Sequence, residues 1–596
     1  MSILRVGVLA AMIVTSSPVM AATPEEVRAK QVPEAMKILS AWENEEPVRG
    51  QRYLRLVYWT PADREPAPHY EKRLGEIFLE VRKFYGAEMK RIGFGKRSIL
   101  LERGANSLPK IHLVKGLHPY SHYSQKSGGE IRKECLPVLE KAGINAAKET
   151  IIIFCNMSNW DRESRTIHQN SPYYAGGNQR SGNAWQVDSP ILNVSSLAKK
   201  EPKIKDGQYG EISLGRYNSI FIGGIAHELG HALGLPHNKE TKAEAAAYGT
   251  ALMGAGNRAY GEQLRGEGKG AFITLAHALK LASHPMFSGS LKEFDKNATF
   301  DLRNIRVEEA GKSFRFHGNI KATPPVYAVL GYMNPHGGND YDATTCTAIP
   351  DENGDFTLEC AALRPGKEAE FAVVMVAVNG SASSFGPNDA KWKFPYTVAK
   401  DGTPDISATK TLLTVAPWYD AVRKGNPLPP AADPADSPLV REIHRRLSAK
   451  VKGEPPGETA GGLPLSSVPW KSAKVGWDKP SADVLNTGDG MFRAGGRVFA
   501  GGIMAHAPSR YEFQPGGKWR RLAGSAGVLS GAEGSVSFRI LADGREIWSS
   551  AVLEDGTVAK YDISLEGVQA LVLETTDGGD GNGSDWGLWL DPQLAH

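Results

Sequence analysis

One short stretch of the chain concentrates side chains that could hold a metal ion and activate a water molecule. It contains His227, Glu228, His231, Gly234 and His237 in the pattern H-E-x-x-H-x-x-G-x-x-H. On a helix, at about 100° per residue, His227 and His231 project roughly 40° apart, so both imidazoles can reach one ion. Gly234 predicts the end of that helix, because glycine enters the left-handed region without steric cost. The chain can then turn and present His237 as a third ligand.

Three histidines in this arrangement predict a catalytic zinc site. Three protein ligands leave one coordination position open for water, and zinc lowers the pKa of that water towards neutrality. Glu228 is placed to take the proton of the water and pass it to a leaving amine. The alternative is a buried pair of helical histidines with an incidental third one. The apolar face of the helix favours the zinc site, because it allows one side to be buried while the other faces a cleft.

The motif resembles that of the metzincins, zinc endopeptidases whose active-site helix is followed by a methionine-containing turn. Met253 follows His237 closely enough to be the Met-turn residue. Some of these families carry a tyrosine two residues after the methionine, which binds the metal or stabilises the oxyanion. Position 255 is alanine here, so Tyr248 and Tyr260 are the remaining alternatives for that role. The resemblance implies an α+β catalytic domain with a twisted mixed sheet above the active-site helix.

The segments before the motif predict the elements that must position it. Strands alternate with helices along this part of the chain: a leader helix from Pro24 to Ala41, a strand from Tyr53 to Trp59, a helix from Leu74 to Met89, a strand from Ile111 to Val114, a helix from Ile131 to Lys141 and a strand from Ile151 to Cys155. We therefore expect residues 22–288 to form the catalytic domain. The leader, residues 22–45, either packs on this domain or is a removable pro-segment.

The segment from Gly182 to Asp188 comes shortly before the predicted zinc helix. The metzincin resemblance implies an edge strand near this place that pairs with an extended substrate backbone. Trp185 then either lines the cleft or is an ordinary core residue. Asn218 and Ser219 are the predicted caps for the first free amides of the zinc helix.

The N-terminus predicts export. A basic start, an apolar run from Val6 to Val14 and small residues up to Ala22 are typical of a secretory signal peptide over residues 1–21. The apolar run is too short to span a bilayer, so we expect a mature extracellular or periplasmic protein without a membrane span. The net charge of +4 is small against 70 basic and 66 acidic side chains. The basic residues are scattered, which argues against nucleic-acid binding.

The four cysteines agree with an oxidising compartment. They are Cys135, Cys155, Cys346 and Cys360, and four cysteines allow three connectivities. The simplest expectation is that neighbours pair, so that Cys135 bonds to Cys155 and Cys346 bonds to Cys360. A zinc-thiolate site is the rival interpretation, but the close C-x-x-C spacing is missing.

The remaining chain predicts two β domains and a linker. Alternating apolar residues between turn signals predict an antiparallel β-sandwich over residues 289–400. Residues 401–465 are rich in proline and predict a semi-rigid linker with one short helix, from Leu439 to Val451. Residues 466–596 are rich in glycine, and their alternation predicts a second β-sandwich.

Three segments of this last region, from Gly502 to Ser509, from Leu541 to Arg545 and from Asp577 to Trp586, resemble the module called NPCBM. That module is a carbohydrate-binding domain first noticed on glycoside hydrolases. The resemblance implies a galactose-binding-like jelly roll and a glycan ligand. The carboxylates between Asp577 and Asp585 could also bind Ca²⁺, with a solvated turn as the alternative. Trp586 and Trp589 either stack on a sugar ring or belong to the core.

These features together predict a secreted, multidomain zinc endopeptidase. Its zinc ligands are His227, His231 and His237, its general base is Glu228, and its substrate is a glycosylated or glycan-associated protein. One alternative is a glycoside hydrolase, which needs a pair of carboxylates that the sequence does not identify. Another is a non-catalytic glycan-binding adhesin with a vestigial zinc site, and the intact Glu228 argues against it. The sequence does not predict the oligomeric state.

Overall fold

The computed structural model describes residues 22–104, 107–335, 340–364, 368–383, 393–430, 437–532 and 534–596. The predicted signal peptide, residues 1–21, lies outside these described residues. None of the helices in the described ranges is long and apolar enough to cross a membrane. The chain is multidomain and largely β, and most of its helices precede residue 290.

Within its described residues, the first region combines eight α-helices with twelve short strands. In chain order they are α1 (Pro24–Glu45), β1 (Tyr53–Thr60), α2 (Tyr70–Ile92), β2 (Leu100–Leu101), β3 (Ile111–Lys115), α3 (Gly128–Lys141), β4 (Thr150–Cys155), β5 (Ser158–Asp161), β6 (Thr166–Gln169), β7 (Tyr174–Gly177), β8 (Gly182–Val187), β9 (Lys203–Asp206), β10 (Gly210–Ser213), α4 (Leu214–Ala232), α5 (Lys242–Tyr248), β11 (Thr250–Ala251), α6 (Asn257–Ala259), β12 (Ala271–Phe272), α7 (Leu275–Ala282) and α8 (Pro285–Ser288).

The main sheet of this region has the order β2-β1-β4-β8-β7, and β3 pairs with β1 beside β2. All pairs are parallel except that of β7 with β8. Strand β4 is buried throughout, as expected for an apolar run inside a parallel sheet. The edge strand is therefore β7, and the segment from Gly182 to Val187, near which an edge strand was expected, is its inner neighbour.

Helix α1 is part of the core of the first region. Val32, Ala35 and Leu39 are buried in the same cluster as the side chains of α2 and α4. Gln31 also donates a hydrogen bond of 2.7 Å from Nε2 to the carbonyl oxygen of Thr347, in the following domain. Removal of α1 would expose this apolar surface to water, at a free-energy cost of about 25 cal/mol per Å². These contacts argue against a removable pro-segment.

The end of helix α4 lies directly on the hairpin that joins β7 to β8. Gly177 and Gly182 close this hairpin, and a Cβ atom added at either position would lie 2.0 Å or 1.9 Å from the carbonyl oxygen of Ala232. Only glycine allows two backbones to approach this closely. The contact holds the part of α4 that carries the histidine motif against the edge of the sheet.

The segment predicted as the first β-sandwich forms two antiparallel sheets. Its strands are β13 (Thr299–Ala310), β14 (Ser313–Thr323), β15 (Val326–Pro335), β16 (Thr344–Ala348), β17 (Asp355–Cys360), β18 (Glu368–Ala377), β19 (Lys393–Val398) and β20 (Pro404–Asp405). Strands β13-β14-β17 form one sheet and β16-β15-β18-β19-β20 the other. Phe316, Leu358 and Val373, from both sheets, share one core. We call this domain the middle sandwich.

The segment predicted as a linker instead forms two packed helices, α9 (Ser407–Arg423) and α10 (Pro438–Lys452). Trp418 and Ile443 on these helices are buried in the core of the middle sandwich, which also includes Met491 from the next domain. The proline content misled the prediction, because Pro438 occupies the first turn of α10, where its missing N–H costs nothing. Of these two helices, the sequence predicts only α10, as the short helix from Leu439 to Val451.

A buried charge cluster fastens α10 to the last domain. The side chain of Arg446 is 1% exposed, and its guanidinium lies 3.3 Å from Asp483, 3.3 Å from Asp591 and 2.8 Å from Glu442. Burial raises the pKa of Asp591 to about 6, while the charge of Arg446 opposes that rise. The last domain is therefore docked on the helices and not merely tethered to them.

The last domain is a β-sandwich built from twelve strands. They are β21 (Leu463–Pro464), β22 (Ser472–Lys474), β23 (Arg493–Ala494), β24 (Arg497–Val498), β25 (Gly502–His506), β26 (Ser509–Phe513), β27 (Arg521–Val528), β28 (Ser537–Ala542), β29 (Arg545–Ser549), β30 (Val558–Ser564), β31 (Leu571–Thr576) and β32 (Trp586–Ala595). One sheet has the order β21-β32-β27-β30 with β25 on β32, and the other has the order β22-β26-β31-β28-β29.

Candidate active site

Helix α4 begins and ends where its local sequence allows. The hydroxyl of Ser213 caps it by accepting a hydrogen bond from a backbone N–H of the first turn at 3.1 Å. The predicted caps Asn218 and Ser219 lie inside the helix and are buried. The helix ends at Ala232, and Gly234 follows with a φ of 84°, the left-handed conformation predicted for it.

The three histidines of the motif meet at one point. His227, His231 and His237 each place a donor atom within 4.8 Å of the other two, and the Nε2 atoms of His231 and His237 are 2.9 Å apart. The Nδ1–H of His227 donates to the carbonyl oxygen of Leu252 at 2.7 Å, and that of His231 donates to the carbonyl oxygen of Leu235 at 2.8 Å. Such bonds fix the ring orientation and leave Nε2 for a metal. The donor set and its geometry fit a zinc ion.

Glu228 lies next to this cluster on the same helix. Its side chain is largely buried, with 8% of the residue exposed. Burial raises the pKa of its carboxyl to about 7. A carboxylate whose pKa lies near neutrality is well matched to general-base chemistry, because it both accepts and returns a proton there.

Met253 lies under the histidines. Its sulfur atom would be 2.3 Å from a Cβ atom added at Gly230, so the thioether packs directly on α4 between His227 and His231. The carbonyl oxygen of Met253 accepts a hydrogen bond of 3.3 Å from the N–H of Asn238. The turn that contains Met253 thus supports both the helix and the chain next to the third histidine.

The hydroxyl of a tyrosine that belongs to no recognisable motif lies beside Glu228. A Cβ atom added at Gly224 would be 1.5 Å from the hydroxyl oxygen of Tyr173, so this hydroxyl rests on α4 one turn before Glu228. Helical side chains lean towards the N-terminus, which brings the Glu228 carboxyl to the same place. Burial, and then the charge of Glu228, raise the pKa of Tyr173 well above its ordinary value. The hydroxyl is buried and has no hydrogen-bond partner among the described residues.

The middle sandwich also reaches the histidines. Tyr341, in the turn between β15 and β16, stacks on His237 with ring centroids 3.5 Å apart. Lys239 holds this turn by a hydrogen bond of 2.6 Å from its N–H to the carbonyl oxygen of Ala343 and by an ion pair of 3.0 Å with Asp342. The two domains therefore share one wall of the site. No local pattern could reveal this contact, because its partners are far apart in the sequence.

Three other aromatic residues considered from the sequence lie elsewhere. The Tyr248 hydroxyl donates to Glu25 on α1 at 2.5 Å, and Tyr260 packs against Phe84 on α2. Trp185 is 8% exposed and belongs to the core on the other face of the sheet.

The structure shows all four cysteines as free thiols, which differs from the predicted disulfides. It does bring the predicted partners together. The sulfur atoms of Cys346 and Cys360 are 3.7 Å apart, longer than the S–S bond of about 2.05 Å. Cys135 and Cys155 are buried in one apolar cluster, and burial raises both thiol pKa values. The two disulfides stay predictions for the oxidising compartment.

The last domain exposes aromatic rings at one place. Trp586 packs edge-on against His506, with ring centroids 4.8 Å apart, and against Trp477, with centroids 5.0 Å apart. Trp477 is 52% exposed, whereas Trp589 is fully buried in the core against Phe538. Of the two tryptophans considered from the sequence, only Trp586 is therefore at the surface. Trp477 was missed because it lies in a loop without periodicity.

The segment predicted to bind calcium does not converge on one point. Asp585 is fully buried, and its carboxylate accepts a hydrogen bond of 3.0 Å from the N–H of Ser535. Burial, reinforced by the charges of Asp580 and Asp577, raises the pKa of Asp585 to about 6. Among the described residues, these carboxylates do not form a group of three with donor atoms within 4.8 Å. Calcium binding stays a prediction, which thermal unfolding of the protein with and without Ca²⁺ would test.

The sequence of the last domain matches a known family. Residues 462–595 match the NPCBM/NEW2 domain. The prediction of a C-terminal NPCBM module with a β-sandwich fold is thereby confirmed.

Two curated proteins are similar to part of this chain. Alpha-1,3-galactosidase B of Akkermansia muciniphila is 31% identical over 142 residues, which are 23% of this chain and 17% of that protein. A protein of Renibacterium salmoninarum named "Putative endo-alpha-N-acetylgalactosaminidase" is 27% identical over 127 residues, which are 20% of this chain and 8% of that protein. The similarity thus spans less than a fifth of either relative.

Among solved structures, wild-type OgpA from Akkermansia muciniphila is similar to a larger part of the chain. It is 26% identical, and the match covers 60% of this chain and 96% of that one, with a TM-score of 0.49.

Proposed function

We propose that this protein is a secreted, zinc-dependent endopeptidase of the metzincin type that acts on glycosylated or glycan-associated proteins. The observation that carries the proposal is the convergence of His227, His231 and His237, each offering one nitrogen to a common point, next to the buried Glu228. Three ligands with an open fourth position distinguish catalytic from structural zinc sites. The predicted signal peptide supports secretion.

The residues of the site divide the work of peptide hydrolysis. A zinc ion held by the three histidines would polarise the scissile carbonyl and acidify a water molecule. Glu228 accepts the proton of the attacking water and returns it to the leaving amine. Met253 and the carbonyl oxygens of Leu252 and Leu235 hold the helix and the imidazole rings in place. The edge strand β7 offers free backbone groups for an extended peptide.

We propose that Tyr173 positions the carboxylate of Glu228. The Tyr173 hydroxyl has no hydrogen-bond partner among the described residues, and we propose that it donates to the Glu228 carboxylate during the reaction. Because a hydrogen bond to a charged group contributes about 1.5–3 kcal/mol, we expect Tyr173→Phe to lower kcat by about 10- to 100-fold. KM and the zinc content should stay the same, because Tyr173 is not one of the three converging metal ligands and acts through Glu228. Steady-state kinetics and metal analysis measure these quantities.

Tyr248→Phe is the matched control for this prediction. It removes a hydroxyl that binds Glu25, away from the histidines. Full kcat is expected for this variant. A loss of kcat equal to that of Tyr173→Phe, or a raised KM in Tyr173→Phe with unchanged kcat, would contradict a positioning role for Tyr173.

The C-terminal module supports a glycan-bearing substrate. Residues 462–595 match a carbohydrate-binding domain family, and the names of both curated relatives refer to enzymes that act on galactose- or N-acetylgalactosamine-containing glycans. Trp477 and Trp586 offer ring faces on which a sugar could stack. The docking of this module through Arg446 would hold a bound glycan at a defined position relative to the active site.

Cleavage mapping tests the function and the substrate class together. The mature protein is incubated with native and enzymatically deglycosylated protein mixtures, and new peptide termini are identified by mass spectrometry. We expect cleavage of the native mixture, at least tenfold less cleavage after deglycosylation, and none with a zinc chelator. Equal cleavage of both mixtures would remove the glycoprotein hypothesis and leave the protease. Released sugars without new peptide termini would support the glycoside hydrolase instead.

A further inference from the structure

A second group of metal-binding side chains lies on the surface of the first region. His118, His122 and Glu130 each place a donor atom within 4.8 Å of the other two. The Nε2 atom of His122 is 2.9 Å from a carboxylate oxygen of Glu130, and the rings of His118 and His122 have centroids 4.2 Å apart. Within the described ranges, the only other such group is the histidine cluster on α4.

Local structure holds these three side chains together. His118 lies just before the short 3-10 helix from Tyr120 to His122, and His122 is its last residue, so the two rings lie close together. The hydroxyl of Tyr123 accepts a hydrogen bond of 3.0 Å from the N–H of His118 and donates one of 2.8 Å to Glu134 on α3. Because Glu130 lies in the first turn of α3, this anchoring brings it opposite the two histidines.

We propose that His118, His122 and Glu130 form a second metal site, which binds a divalent transition-metal ion such as Zn²⁺. Two imidazoles and one carboxylate are ligands that zinc accepts, and water would complete the coordination. Tetrahedral zinc with ligand distances of about 2.1 Å needs donor atoms about 3.4 Å apart. The three side chains are exposed, so small rotations of the two rings and of the Glu130 carboxylate can bring the donor atoms to this spacing. The nitrogen donors disfavour Ca²⁺ and Mg²⁺, which prefer oxygen ligands.

A metal ion at this site would stiffen the segment that packs behind the edge strand β7. It would link the 3-10 helix to the first turn of α3, where Gly128 packs closely against the edge strand. A Cβ atom added at Gly128 would lie 2.2 Å from the hydroxyl oxygen of Tyr174, in β7. Metal bound at this site would therefore restrict the motion of β7, the strand that we propose to pair with substrate.

Zinc stoichiometry tests this site separately from the catalytic one. Purified protein is stripped with a chelator, dialysed against buffered Zn²⁺ and analysed for bound metal. We expect two zinc ions in the wild type and one in each of His122→Ala and Glu130→Ala. His168→Ala, which removes an exposed histidine outside both groups, should keep two. His231→Ala should keep the surface ion and lose the catalytic one.

Either of two results would overturn the proposal: a single zinc ion in the wild type that is lost in His231→Ala, or two zinc ions in the double variant His118→Ala/His122→Ala. Hydrogen exchange gives a second measurement, because zinc should slow amide exchange over residues 118–130 in the wild type and leave it unchanged in His122→Ala. Identical protection in both proteins would exclude the metal link. Peptidase activity that depends on Glu228 is measured in the same samples, so a failure of the proposed function stays distinguishable.

Discussion

Glu228→Gln is expected to lower kcat/KM for protein cleavage by about 10²- to 10⁴-fold, the usual contribution of a general base. Glutamine keeps the shape of the side chain but cannot accept the proton of the attacking water. Because Glu228 is not one of the three converging ligands, the variant should bind as much zinc as the wild type. Kinetics on a protein substrate, with metal analysis of the same samples, checks both expectations.

His231→Ala is the matched control for this variant. It removes one of the two helical donors and should lose both zinc at the α4 cluster and activity, whereas Glu228→Gln loses activity alone. Equal activity of the wild type and Glu228→Gln on every protein tried would contradict a catalytic role and favour the adhesin alternative. Loss of glycan cleavage in Glu228→Gln, with proteins untouched by the wild type, would favour a glycoside hydrolase.

Arg446→Ala is expected to destabilise the junction between α10 and the C-terminal module by about 3–5 kcal/mol, because removal of one partner leaves buried charges uncompensated. Asp483 and Asp591 both face the guanidinium at 3.3 Å. Asp483 is buried and Asp591 is half-buried, and both carboxylates would lose their counter-charge. Calorimetric unfolding of the full chain measures the effect, since domains can unfold in separate transitions.

The neighbouring Arg445→Ala provides the comparison. The Arg445 side chain is 32% exposed and pairs with Glu442 at 2.7 Å. A pair of this kind contributes about 0–1 kcal/mol. If both variants lowered the unfolding temperature equally, the buried cluster would not be what holds the module on the helices. If Arg446→Ala separated the module without loss of peptidase activity on unglycosylated substrate, docking would serve substrate choice alone.

Several features were predictable from the sequence because they depend on neighbouring residues. The spacing of His227 and His231 on one helix face and the left-handed Gly234 both follow from helix geometry, and the structure shows both. The alternating strands after residue 289 follow from the period of two along a strand. The NPCBM module was recognisable from segments within one domain.

Other features needed the whole chain. Proline-rich composition indicated a linker, yet α9 and α10 are packed helices, because apolar residues such as Trp418 and Ile443 pack into the core of the middle sandwich. The edge of the sheet lies one strand further out than predicted, because β7 pairs with β8. Strand order depends on pairing between segments and not on the local pattern of residues. The predicted cysteine partners are neighbours in space, but proximity alone does not form a bond.

The sequence by itself determined the chemistry of this protein: which nitrogens can meet a metal ion, which carboxylate stands beside them, and that a carbohydrate-binding module belongs to the same chain. Tertiary structure alone decided what surrounds that chemistry. It brought the Tyr173 hydroxyl onto α4 at Gly224 and the ring of Tyr341 onto His237. The physical reason is the separation along the sequence of the residues that interact. Ligand spacing on a helix is set by bonds within a few residues, whereas the walls of the site come from contacts between residues that only folding brings together.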